Sequence, residues 1–201
     1  TNRFILINDA KPDPKWRYSS TNKLVAQLSQ NMNFVMDLKV GEFVQMHAES
    51  RMVENKEEVM TKILEAANKL AGESFSIDTP VTALSGGQSR ALMIADTAIL
   101  STSPIVLIDE IENAGIDRRK ALELLVSQDK IVLMATHDPL LALMADRRIV
   151  IKNGGIHKVL TTTDEERELL NELSKIDNVM QAARGKLRLG EVLGLQDAKV
   201  E

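Results

Sequence analysis

The chain has 201 residues, enough for one domain of ordinary size with a real core and a small appendage. It contains no cysteine, which excludes a disulfide framework and a thiolate metal site and fits a reducing compartment. Its formal net charge of -4 argues against a strongly basic nucleic-acid surface, no stretch approaches the roughly 20 apolar residues of a membrane span, and the opening residues do not read as a leader segment.

Taken in order, the first 35 residues are β-like. "RFILIN" (Arg3 to Asn8) predicts a strand at the very start, so the chain is expected to open inside a structural element, with residues missing before Thr1. A Pro-rich, aromatic connector, "AKPDPKWRYSSTN", follows; its Trp16 and Tyr18 suit packing of the β element or contact with a partner. "KLVAQLS" then predicts a second strand that delivers Gln30.

From Asp37 to Ala71 the period changes. In "NKEEVMTKILEAANKLAG" the apolar residues Val59, Met60, Ile63, Leu64, Ala67 and Leu70 recur at three and four, and Gly72 follows as a stop, which predicts an amphipathic helix. Beyond Ser85, helices and buried strands alternate: "SRALMIADTAIL" and "RRKALELLVS" are helical, whereas "PIVLID" and "KIVLMAT" are continuous apolar runs. Strands apolar on both sides and separated by helices predict a parallel sheet covered on both faces, and hence an α/β fold. "DRRIVIKNGGIHKVL" predicts a hairpin turning at Asn153-Gly154-Gly155, and Asp164 to about Ala183 a helix with an acidic start. The tail after Arg184 has no assignment, and neither an internal repeat nor a low-complexity tract is present.

Chemistry concentrates at the ends of these elements. "LSGGQ", Leu84 to Gln88, places two glycines at the mouth of an apolar helix, where free N–H groups and the positive end of the helix dipole form an anion site and Ser85 adds a hydroxyl. "IVLIDE" delivers Asp109 and Glu110 together at the C-terminal edge of a strand, where open α/β sheets bind ligands. Adjacent carboxylates repel one another unless a cation is present, and Mg²⁺ suits them best. Gln30 and His137 end two further strands in the same manner.

"LSGGQ", "IVLIDE" and "ATHD" (Ala135 to Asp138) resemble, in order and spacing, the signature motif, Walker B strand and switch-histidine loop of ABC-type ATPases. "LSQNMNFVMDLKVGEFV" resembles that family's Q-loop and the entrance to its helical subdomain, and "RFILINDAKP" its antiparallel β element. The resemblance runs from about Arg3 to Leu160. It implies a P-loop NTPase-like parallel sheet core with an inserted helical subdomain and an N-terminal antiparallel β element. The nucleotide-binding domain would occupy 1–160, with the helical subdomain at 37–84, and a C-terminal helical extension would occupy 161–201.

By that resemblance Ser85, Gly86, Gly87 and Gln88 would bind the γ-phosphate of an ATP held by the opposite subunit. Asp109, with Gln30, would serve Mg²⁺. Glu110 would orient or deprotonate the attacking water, His137 would contact the γ-phosphate, and Asp117 would sit in the D-loop at the dimer interface. Two departures stand out. No Gly-x-x-x-x-Gly-Lys-Ser/Thr occurs, so the Walker A cradle is absent from these residues and the chain alone is expected to be inactive. After Glu110 the D-loop region is "IENAGID", with Ile111 where the family has Pro and one extra residue before Asp117.

The implied function is the ATP-binding and ATP-hydrolysing subunit of an ABC transporter. It would share ATP across a head-to-tail dimer with a second nucleotide-binding subunit, beside a transmembrane permease at the cytoplasmic face of the membrane. A soluble ABC-type ATPase with a regulatory or assembly role is the alternative. DNA-repair ATPases with an ABC-type head fit less well: in those a long coiled coil separates the Q-loop from the signature, whereas Gln30 and Ser85 stand 55 residues apart, without sustained heptads between them. No nucleic-acid partner is expected.

Overall fold

The computed structural model describes residues 6–7, 9–15, 23–29, 34–109 and 115–199. Most of the "RFILIN" strand, Trp16, Tyr18, Gln30 and Glu110 lie outside the described residues. The chain divides between Thr136 and His137 into two compact units.

In the first unit, β1 (Val25–Leu28), β2 (Ile105–Asp109) and β3 (Ile131–Ala135) form a parallel sheet in that spatial order. Register places Ala26 beside Val106 and Leu28 beside Ile108 on one face, and these four side chains are buried. The opposite face carries Val25, Ile105, Leu107, Ile131 and Leu133. Here the structure departs from the expectation of a sheet covered on both faces, because Ile131 is 62% exposed and Leu133 46%. β-branched and leucine side chains alternate through the pleat to both faces, but among the described residues only one face has helices packed on it.

The helices of this unit are α1 (Val40–Ser50), α2 (Lys56–Leu70), α3 (Gly86–Leu100) and α4 (Arg118–Val126). The predicted stripe on α2 is the buried one: Ile63, Ala67 and Leu70 face inward. Its end is not a glycine stop. The chain turns extended at Ala71, which pairs with Ile116 across an antiparallel bridge, and Gly72 keeps an ordinary φ. α3 is apolar nearly all round because it is enclosed nearly all round, with Ala91, Leu92, Ile94, Ala95, Ala98 and Leu100 buried. One charged residue shares that burial: Asp96 is 2% exposed, and both its carboxylate oxygens lie 3.0–3.1 Å from His47 Nδ1 on α1. Phe43, one turn back on α1, packs on the His47 ring at a centroid distance of 4.2 Å.

The second unit begins with α5 (Pro139–Met144), continues through the hairpin of β4 (Arg147–Lys152) and β5 (Gly155–Thr161), and ends in α6 (Asp164–Arg188) and a short 3₁₀ turn, Leu195–Ala198. The hairpin forms as predicted with a tighter turn. Asn153 and Gly154 both take left-handed φ, 53° and 75°, and Gly155 already pairs with Lys152. That geometry is the two-residue turn that suits the twist of paired strands. α6 starts at a reciprocal cap, Thr163 Oγ1 accepting from the Glu166 amide at 3.2 Å while the Thr163 amide donates to Glu166 Oε2 at 3.0 Å.

α6 runs to Arg188, beyond the expected Ala183. Gly185 lies inside it without ending it. The stop is Gly190, at φ 77°, whose amide donates to Leu187 O while the Glu191 amide donates to Lys186 O, both at 3.0 Å.

The buried Asp96 yields a stability prediction. Replacing His47 by Ala removes the partner of a carboxylate that water does not reach, at a cost of about 1–3 kcal/mol. Urea unfolding of the 201-residue chain should show this loss, with part of it recovered when Asp96→Asn is added. An unchanged midpoint in His47→Ala would contradict the pairing.

Candidate functional site

The loop entering α3 is fixed at several points before its first glycine. Asn68, on α2, brackets Phe75: its Nδ2 donates to the Phe75 carbonyl and its Oδ1 accepts from the Phe75 amide, both at 3.0 Å. The first two amides of α1 have no acceptor within the helix; Val40 donates to Thr79 O and Gly41 to Ile77 O, each at 2.9 Å. Gly41 permits this approach, since a Cβ there would stand 2.6 Å from Ile77 Cγ1. The Val81 amide closes the strap by donating to Leu38 O at 2.8 Å. Residues 72–84 are therefore tied to α1 and α2, and they set where α3 begins.

Ser85 is the N-cap of α3. Its Oγ accepts from the Gln88 amide at 3.3 Å, and its own amide donates to Gln88 Oε1 at 2.9 Å. Gln88 Nε2 donates in turn to Glu73 O at 3.2 Å, so both polar ends of Gln88 are used within the chain. The Ser85 hydroxyl is thus an acceptor within the fold, and its one hydrogen remains able to donate outward.

Gly86 and Gly87 are the first two helical residues, and among the described residues nothing accepts from their amides. These are the groups that carry the positive end of the helix dipole. A Cβ on Gly86 would meet nothing within 4 Å, so the packing of the described residues gives no reason for a glycine there.

The other predicted residues are placed as follows. Asp109 ends β2, exposed, paired in register with Ala135 of β3. A hard carboxylate oxygen at a strand end fits Mg²⁺, with nucleotide phosphates able to supply further oxygens; among the described residues no three His, Cys, Asp or Glu side chains converge in a cluster that could hold a metal without such help.

Asp117 is the N-cap of α4. It accepts from the Lys120 amide at 3.2 Å and pairs with Lys120 Nζ at 3.0 Å, and its amide donates to Leu70 O at 2.9 Å. Burial opposes its ionisation, but the hydrogen bonds from the Lys120 amide and side chain, the Lys120 charge and the Arg119 amide outweigh it and hold its carboxyl below the ordinary value. His137 is exposed at the start of the second unit, just before Asp138, whose Oδ1 caps α5 by accepting from Leu140 and Leu141 at 2.8 and 3.2 Å.

Sequence reasoning missed Gly115. It takes φ 64°, and a Cβ built on it would lie 3.8 Å from Gly87 Cα, so the segment leading to Asp117 runs beside the glycine turn of α3. The glycine of "NAGID" was the available signal, since φ in this range favours glycine.

The ABC transporter family model matches residues 4–113. An "uncharacterized ABC transporter ATP-binding protein" of Methanocaldococcus jannaschii is 52% identical over 195 residues, an alignment that covers 97% of this chain and 74% of that protein. Among solved structures, an ATP binding subunit of an ABC transporter superposes with a TM-score of 0.63 at 20% identity, covering 83% of this chain and 70% of that one. A dimeric ATP-binding cassette in a post-hydrolysis state, bound to ADP and Pi, superposes at 0.58 and 20% identity, over 78% of this chain and 72% of that one. The last two likenesses are of fold.

The two glycines should respond oppositely to alanine. Gly86→Ala meets open space at an ordinary φ and should leave stability unchanged or raise it by up to about 1 kcal/mol, whereas Gly115→Ala must adopt a left-handed φ and should lose about 1–2 kcal/mol. Denaturant midpoints of the two variants decide this. A Gly86→Ala loss as large as that of Gly115→Ala would mean that the chain's own packing accounts for both.

Proposed function

The chain belongs to the ABC transporter family of ATP-binding proteins, and we propose that in its complete form it binds and hydrolyses ATP at sites shared between two subunits, driving transport through a separate permease. The observation that carries the reading is the mouth of α3: two glycine amides unclaimed by the described residues, beside a capped serine, with open space where a side chain would be. Such a surface receives an anion from outside the chain. No phosphate cradle occurs among the 201 residues, and in this reading a segment outside them anchors the nucleotide.

In this reading Ser85, Gly86 and Gly87 close on the γ-phosphate of a nucleotide bound to the opposite subunit, and Gln88 acts from behind, holding the Ser85 amide and the Glu73 carbonyl so that the loop keeps its position. Asp109 holds Mg²⁺, which neutralises phosphate charge when bound. Glu110 orients or deprotonates the attacking water, Gln30 links the metal and that water to the helical part, and His137 contacts the γ-phosphate. Asp117 serves the subunit interface through its segment, which Gly115 carries past Gly87. Phosphoryl transfer needs charge neutralisation, positioning and an in-line water rather than covalent catalysis, and these residue types supply such groups.

One feature supports a membrane-side partner. The segment around α1 exposes Val35, Met36, Met46 and Met52, apolar side chains suited to a permease surface. No described helix is itself long and apolar enough to cross a membrane. We read 1–160 as the nucleotide-binding domain, with 37–84 as its helical part, and 161–201 as an extension at the cytoplasmic side.

The test uses the complete protein. Glu110→Gln removes the base while keeping shape, and should slow hydrolysis by about 10²–10⁴-fold. ATP should then trap a dimer visible by light scattering. Adding Ser85→Arg places bulk and an unpaired cation where amides must close on phosphate; ATP should still bind, and the dimer should not form. A dimer that survives Ser85→Arg would overturn the shared site.

A further inference from the structure

α6 is a 25-residue helix with no buried residue. At about 1.5 Å per residue it spans roughly 37 Å. Its polar anchors lie near its start, where Glu166 pairs with Arg148 and Arg167 with Asp146. Leu170, Leu173, Ser174 and Asp177 are partly covered.

A second stripe is open at four of its six positions. Leu169, Leu173, Ile176, Met180, Ala183 and Leu187 follow one another at intervals of four, three, four, three and four. Leu169, Ile176 and Met180 are each about half exposed and Leu187 more so. That spacing keeps one seam along a helix and is the pattern by which two helices interlock. Leu173 belongs to both stripes, which makes the seam continuous with the covered side.

Charge along α6 is polarised. Asp164, Glu165, Glu166, Glu168 and Glu172 outnumber Arg167 and Lys175 in its first half, and Arg184, Lys186 and Arg188 carry its end. Laid parallel, two such helices would set acid against acid and base against base. Laid antiparallel, the acidic half of each meets the basic end of the other, which is the arrangement that charges flanking a helical seam select.

The geometry points to a second copy of this chain as the occupant: α6 pairs antiparallel with α6 of another molecule about a two-fold axis, independently of nucleotide. In that register Leu169 packs against Met180 of the second copy and Leu173 against Ile176, each layer appearing twice by symmetry. Glu165 flanks the seam opposite Lys186 of the second copy, at both ends; Lys186 already pairs with Asp197 of its own chain, so Glu165 joins an existing ion pair there.

Because the chain has no cysteine, the register can be read by cross-linking. Without nucleotide, the 201-residue chain should sediment at twice its 22.3 kDa mass, with the monomer fraction rising on dilution. Leu169→Glu with Ile176→Glu, both at exposed positions, should be monomeric with an unchanged far-ultraviolet spectrum. Under mild oxidation Leu169→Cys alone should not link to itself and Met180→Cys alone should not either, whereas an equimolar mixture of the two should yield a covalent dimer. A chain that stays at 22.3 kDa at every concentration overturns the pairing, as does self-linking of Leu169→Cys, which reports a parallel arrangement. Since no ATP is added, the outcome is separate from that of the shared nucleotide site.

Discussion

A reciprocal pair of hydrogen bonds between Ser85 and Gln88 holds the start of the most enclosed helix of the first unit at the protein surface. Most else in that unit follows from this constraint. α3 is closed in by apolar packing and cannot shift along its axis without breaking it; the strap of residues 72–84 is tied to α1 and α2 by backbone bonds and by the Asn68 side chain. The amides of Gly86 and Gly87 therefore sit in a set place at the outside of a rigid body. A binding surface made of backbone and carried on a buried helix needs little reorganisation when an anion arrives, which is the property that phosphate chemistry rewards.

The sheet has a complementary asymmetry. Its even-numbered positions form a dry face with Val106 fully enclosed, and its odd-numbered positions leave Ile131 and Leu133 open. Two apolar faces with helices on one only is the signature of a sheet whose other cover is not among the described residues. The sequence also contains no phosphate cradle, and the alignment covers 74% of the Methanocaldococcus relative. The uncovered face and the missing cradle both fit the proposal that these residues close on a nucleotide that another segment anchors.

Much of this was legible in the sequence, for physical reasons that differ by element. The strands "PIVLID" and "KIVLMAT" announced themselves as apolar runs bounded by acids or turn residues, and α2 by its spacing of three and four. The hairpin was legible because Asn-Gly is one of few pairs that take left-handed φ twice in succession. What failed were inferences about ends and surroundings. Gly72 looked like a helix stop, but a tertiary bridge from Ala71 to Ile116 ends α2 first. α6 was expected to end near Ala183, yet it runs through Gly185 to a stop at Gly190, where the Gly190 and Glu191 amides turn back onto Leu187 and Lys186. Coverage of the sheet's second face could not be read from strands that are apolar on both sides.

At the site, residue types were legible and their hydrogen-bond partners were not. Gln88 looks like a ligand in the motif and serves as a brace in the fold; Asp117 caps a helix, with burial outweighed by Lys120 in setting its charge. Hydrogen-bond partners such as Glu73 O and the Lys120 amide depend on where the loops lie, and no local pattern records that. The account's central claim is that these residues complete a nucleotide site they do not anchor. Calorimetric titration of Mg-ATP into the folded 201-residue chain tests it most directly: the account predicts no saturable tight site, and micromolar binding to this chain alone would contradict it.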